Sequence, residues 1–200
     1  MNDTFRNILL VVSSILIVLS TVPYLIDIAK KKTKPRVVSW FNWGILGAVA
    51  GAAALSDGQI PAAVLSFASV VEVMLVVILG LYYGDRRFDK FDVICQIGAA
   101  AGLLLWYTLN SPLIAIIVIT AVDLIAALPT YKHIWRSPEE ETLAAFVLCG
   151  VASALTLGTI TSLALTGLIY PIYLLLANAG MACMIIYRLR VKAKVAKYVH

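Results

Sequence analysis

From residue 7 to residue 188 the sequence is one apolar run after another, each broken off by a short polar connection. A bilayer's hydrocarbon core takes about 17–25 apolar residues per helix. Seven segments answer to that length: 7–29, 37–55, 60–83, 93–109, 112–135, 143–161 and 165–188. The fourth is short and the last two nearly touch, so six spans is the alternative count. With 62% hydrophobic and 14% charged residues in a chain of 200, a soluble domain lacks the interior to hide so much apolar side chain. The fold class expected is an all-α integral membrane protein of seven transmembrane helices, with no length left for a separate soluble domain. The opening "MNDTFRN" carries no basic signal-peptide head, so the first run is expected to be retained as a span.

The charges sort onto one side. Of the 16 Lys and Arg residues, all except Arg6 fall in alternate connections. Lys30, Lys31, Lys32, Lys34 and Arg36 follow the first run; Arg86, Arg87 and Lys90 follow the third. Lys132 and Arg136 end the fifth, and Arg188, Arg190, Lys192, Lys194 and Lys197 form the tail. The positive-inside rule then puts the N-terminus outside and the C-terminus in the cytoplasm, in a plasma or inner membrane. These charges exclude a nucleic-acid function, since their arrangement serves topology, and anionic lipid is their expected partner. Trp40 and Trp43, just past the first basic turn, read as aromatic-belt residues at the interface. Asp27 is expected to pair with Lys30 or Lys31 nearby.

An internal repeat follows from aligning Pro23 with Pro129. Each lies late in an inward-running span and precedes an aromatic, a basic turn, a hydroxyl (Ser39, Thr142) and a glycine-bearing apolar helix. The chain divides into a first three-helix unit (residues 1–92), a connector (93–111) and a second unit with a basic tail (112–200). Two parallel repeats need one extra crossing, which the connector supplies. Transporters built on this plan bind substrate at the repeat interface near mid-bilayer. Proline removes a helical hydrogen bond, and freed carbonyls are tolerated where neighbours satisfy them. Pro23 and Pro129 are therefore expected to act as paired hinges. The small-residue stretches "GAVAGAAAL" and "CGVASAL" permit close helix approach.

With its 3+1+3 plan and the prolines Pro23 and Pro129 before cytoplasmic turns, the chain resembles the PQ-loop superfamily of SWEET sugar transporters, cystine and cationic amino-acid exporters and the KDEL receptor. Asn178, in "LLLANAGMAC", matches the family's pocket asparagine, and its first-unit equivalent falls near Glu72. The glutamine that follows the family's proline is replaced by Tyr24 and Thr130, and the second-helix prolines of SWEETs are absent. Transporters of the nicotinamide riboside type share a similar helical plan.

Three polar residues lie at one depth. Glu72, Asp123 and Asn178 each sit about eleven to thirteen residues into their runs, near mid-bilayer at about 1.5 Å per residue. A charge there costs roughly 2.5–3.5 kcal/mol on insertion scales, so such residues face a cavity or a partner. No Lys or Arg shares that depth. The expectation is a substrate pocket lined by Glu72, Asp123 and Asn178, with Asn42 and Ser153 reaching it from the second helix of each unit. The alternative is a pair of protonated acids bonded to neighbouring helices. An asymmetric acidic pocket suits a cationic or amine-bearing ligand, or a proton carried with the substrate. Cys95, Cys149 and Cys183 show no metal or disulfide spacing and read as small core residues. No metal or cofactor is expected. Both histidines, His133 and His200, lie on the cytoplasmic side, and no HExxH occurs, so no enzyme is expected. The function expected is a transporter of a small polar metabolite (sugar, amino acid, amine or vitamin) by alternating access, with proton linkage and a homo-oligomer left open. A ligand-binding receptor or sorting protein of the same fold is the alternative.

Overall fold

The structure is a computed structural model and describes residues 2–33, 35, 37–84, 86, 90–109 and 111–198. Lys34, Arg36, Arg87 and His200 lie outside the described residues, as do the side chains of Ser39, Cys95, Pro129 and Lys197. The described residues hold seven α-helices and no strand: α1 (Asp3–Ala29), α2 (Val37–Ser56), α3 (Ile60–Tyr83), α4 (Lys90–Leu109), α5 (Pro112–Arg136), α6 (Leu143–Leu157) and α7 (Leu165–Tyr198). A single 3-10 turn, Pro138–Glu140, joins α5 to α6. Helices α1, α3, α5 and the Leu165–Lys194 part of α7 are long and apolar enough to cross a membrane, while Trp40–Ser56 and α6 are apolar but shorter.

Local chemistry sets the helix ends. The Asn2 side chain accepts from Thr4 N at 3.0 Å, capping α1 four residues before the apolar run begins. Lys31, at φ 57, takes the chain out of α1. Gly58, at φ +71, makes the tight α2–α3 turn, and Pro61 then occupies the first turn of α3, where its missing N–H goes unused. Ser111 caps α5 in the same way, accepting from Ile114 N ahead of a first-turn Pro112. Helix α6 stops at Leu157, short of residue 161 where the apolar run ends, and 158–164 form an irregular connection. Gly158 closes that helix, and Thr159 turns its hydroxyl back to Thr156 O at 2.7 Å. At the other extreme α7 continues about 15 Å past Arg188, at about 1.5 Å per residue, as a basic helical extension.

The packing order is the same in both halves. Helix α3 packs against both α1 and α2, and α7 packs against both α5 and α6. Among the described residues the backbones of α1 and α2, and those of α5 and α6, do not come close together. Across the halves α1 packs on α6, α2 on α5 and α3 on α7, while α4 leans on α5 and α2. Glycine lets α2 approach α3 closely: a Cβ on Gly51 would meet the Phe67 ring at 3.0 Å, and one on Gly47 would meet Val70 at 3.2 Å. Small side chains fill the end of the bundle near the α2–α3 turn, where Ala53, Ala54, Ala62, Ala63 and Ala115 pack round Ile116 and Ile119.

Two local expectations are corrected here. Asp27 makes no ion pair with Lys30 or Lys31; its Oδ2 accepts from the Thr142 hydroxyl at 2.8 Å, tying the end of α1 to the start of α6. Cys183 is exposed on α7 rather than in the core, while Cys149 is buried.

Candidate functional site

The polar residues of the middle turns face one cavity of about 160 Å³. Glu72 of α3, Asp123 of α5 and Asn178 of α7 all line it. Three periodicities put them there. On α3, Ser66, Ser69 and Glu72 recur every third residue and so share a face. On α7, Tyr170, Tyr173, Ala177 and Asn178 form the equivalent stripe. On α1, Ser20, Thr21 and Tyr24 turn inward just before and after Pro23.

Each acid meets a hydroxyl from another helix. The Ser20 hydroxyl lies 2.9 Å from Glu72 Oε1 and 2.7 Å from Ile17 O. Its single proton serves one of them. With the proton on Glu72's side the carboxyl is ionised; with it on Ile17 O, a neutral Glu72 donates to the serine oxygen. Both arrangements leave every group bonded. The Tyr170 hydroxyl donates to Asp123 Oδ2 at 3.2 Å. Asn178 turns its Nδ2 to Leu174 O at 2.8 Å, one turn back. Among the described residues no Lys, Arg or His lines the cavity.

Three further lining groups are buried polar atoms with no hydrogen-bond partner among the described residues: Thr21 Oγ1, Ser69 Oγ and Trp43 Nε1. A buried polar atom left unpaired costs roughly 1–3 kcal/mol, so these three mark a place made for something polar. Trp40 and Trp43 face the cavity, which corrects their reading as belt residues. Trp40 packs on Tyr24 (centroids 5.0 Å) and edge-on to Trp43 (5.2 Å). Asn42 and Ser153 do not line it. Both are buried in helix packing, and Ser153 donates to Cys149 O at 2.9 Å. Pro23 lies inside α1, one turn beyond Ser20, and Pro129 lies within the range of α5.

The two ends of the cavity differ. Toward the basic turns it reaches Tyr24, Thr130 and Glu141, the last 3.9 Å from His133 Nε2. Toward the other end the bundle is filled by the alanine-rich packing, by Ile17 against Leu65 and Ala152, and by Thr156 Oγ1 donating to Ser13 Oγ at 3.0 Å. There Thr166, at the start of α7, also donates to the Asp57 carboxylate of the α2–α3 turn.

The sequence reading missed Thr21, Ser69, Tyr170 and Tyr173. Ser69, three residues before Glu72, carried a spacing signal; Thr21, Tyr170 and Tyr173 have no three-residue spacing to Glu72 or Asn178. The described residues hold no group of three His, Cys, Asp or Glu side chains placed to hold a metal ion.

Fold and site together define an all-helical protein with membrane-length apolar helices and a polar, aromatic-walled cavity between them. Neither protein-family models, curated proteins nor solved structures give a match to this chain.

Proposed function

We propose that the protein is a membrane transporter of a small polar metabolite, working by alternating access between two parallel three-helix units, α1–α3 and α5–α7, with α4 as connector. All seven helices cross the membrane in this reading, with the N-terminus outside and the basic turns in the cytoplasm. What supports it is the cavity: residues of both units line it, it reaches one end of the bundle, and packed side chains fill the other end. An inward-facing carrier has that form. The reciprocal pairing of α1 with α6 and α2 with α5 gives the two units a shared surface on which to rock.

Two cross-unit contacts fit the gates. Asp57 with Thr166 holds the filled end, and Asp27 with Thr142 lies at the open one. The test is a thermal-shift screen of metabolites on purified protein, followed by counterflow of the labelled hit in liposomes. Exchange of label across the membrane supports the carrier. Binding without exchange makes the protein a receptor of the same architecture instead.

A further inference from the structure

We propose that the cavity takes an organic cation of about choline's size, its charge met by Glu72 and Asp123 and its apolar flanks by the surrounding rings. This rests on reading the cavity as the substrate site. The charge argument comes first. Glu72 and Asp123 line the enclosed part of the cavity, and among the described residues no basic side chain lines any part of it. Buried carboxylates call for a partner, and the chain supplies hydroxyls only: Ser20 for Glu72 and Tyr170 for Asp123. A ligand that brings the balancing positive charge holds both carboxyls in their ionised form, the alternative being the neutral Glu72 bonded to Ser20.

The walls narrow the class. Tyr24, Trp40, Trp43 and Tyr173 line the same space, and aromatic faces attract a cation whose charge is spread over alkyl groups. An inorganic ion would leave these rings without a role. A neutral sugar would leave both carboxylates without a counter-charge. Three unpartnered atoms, Thr21 Oγ1, Ser69 Oγ and Trp43 Nε1, add a polar side to the site. The indole N–H can only donate, so the ligand carries an acceptor oxygen besides its cationic nitrogen. A volume of about 160 Å³ compares with the roughly 150 Å³ that holds a benzene ring, so the ligand has on the order of six to ten non-hydrogen atoms. Choline meets all three requirements, and 3,3-dimethyl-1-butanol is its uncharged isostere.

The experiment titrates both compounds, and tetramethylammonium, into the purified full-length protein, read by tryptophan fluorescence and calorimetry. Choline is expected to bind about tenfold or more tighter than its neutral isostere. Glu72→Gln and Asp123→Asn are each expected to shrink that ratio. Trp43→Phe, which keeps a ring and loses the N–H, should weaken choline more than tetramethylammonium. If an acid variant does not fold, the ratio measured on the parent protein decides alone. Equal affinity for choline and the isostere, no binding of choline, or its displacement by sodium chloride at equal concentration each overturns the proposal. Choline binding without counterflow keeps this inference and sinks the carrier. Counterflow of a neutral solute without choline preference does the reverse.

Discussion

Tyr170 and Asp123 show how much one hydroxyl carries at this site. Asp123 is 6% exposed, and the Tyr170 phenol, 4% exposed, donates to its carboxylate, with Tyr173 as a second hydroxyl neighbour. Tyr170→Phe keeps the ring and its packing but removes that donor. The loss should destabilise the protein by on the order of 1–3 kcal/mol, seen as a lower midpoint in thermal unfolding of the purified chain. Adding Asp123→Asn to it should recover part of the loss, because an amide needs the donor less. A midpoint unchanged in Tyr170→Phe would show that the hydroxyl is dispensable. Outside the membrane-length segments the balance is different. Lys192 Nζ donates to both Glu139 oxygens at 2.8 Å and holds that carboxyl below its ordinary range. A lowered value means the contact stabilises above the free carboxylate's pKa of about 4.3 and is lost as pH falls through the folded value. Glu139 is fully exposed, so the effect is small. Glu139→Gln should leave the thermal midpoint at neutral pH almost unchanged.

Residue type decided what could be read from the chain at this scale. Glu72, Asp123 and Asn178 were legible because a carboxylate or amide deep in an apolar run has few reasons to be there. Ser69, Thr21 and Tyr170 were not, since a hydroxyl in a helix can bond its own preceding turn, as Ser66 does to Ala62 O at 2.8 Å. Trp40 and Trp43 lie where a run begins, and only packing separates a ring facing lipid from one facing the cavity. The partner of Asp27 was hidden for another reason. Lysines three and four residues away looked closest, whereas Thr142 is 115 positions distant and comes near only when α6 docks on α1.

At the scale of helices, lengths and turns were largely written in the sequence, because apolar runs, prolines and Gly58 fix them locally. The break at Leu157 was not, since Thr159 and Ile160 continue the apolar-to-neutral character while the backbone has already left the helix. Helix approach distances depend on glycine more than on any large side chain. Gly51→Val would push a branched side chain into the Phe67 ring and prise α2 from α3. Overpacking of this kind costs about 1–3 kcal/mol, to be read as a drop in thermal midpoint and in the folded fraction after purification. In the carrier reading the prolines act on motion instead. Pro23 cannot donate to Leu19 O, and it lies between Ser20 and the Asp27–Thr142 contact. Pro171 likewise interrupts α7 beside Tyr170, a third candidate bend that the comparison of Pro23 with Pro129 passed over. The double variant Pro23→Ala/Pro129→Ala should purify folded, with a midpoint equal to or above the parent's, yet exchange substrate more slowly in counterflow. Parental turnover would make both prolines ordinary residues of apolar helices.

For the whole molecule the question is which end of the bundle opens to which side, and the two ends differ enough to test. The basic turns lie at the end that the cavity reaches, so the carrier reading predicts a site open to the cytoplasm and shut from outside. The shut end is held by small-residue packing and, between the units, by Thr166 on the Asp57 carboxylate and Thr156 on Ser13. A protein with Cys95, Cys149 and Cys183 replaced, bearing a new cysteine at Thr33, Thr161 or Ser69, separates the possibilities. In intact cells a membrane-impermeant maleimide should label Thr161→Cys and leave Thr33→Cys untouched. Reaction of Thr33→Cys from outside would invert the topology and the carrier's direction with it. Ser69→Cys, on the cavity wall, should resist the reagent from outside and react in inside-out vesicles. Thr166→Val then removes the hydroxyl that ties α7 to the α2–α3 turn while keeping the side chain's size. Loosening one of the ties at the closed end should shift the population toward outward-open forms, so Ser69→Cys becomes labelled from outside in that background. The alanine packing and the Ser13–Thr156 bond stay in place, so the shift is partial, and the labelling rate should rise without reaching that of Thr161→Cys. Reaction of Ser69→Cys from outside in the parent itself would mean that the packed end is not a gate. No gain on Thr166→Val would mean that the Asp57 contact closes nothing.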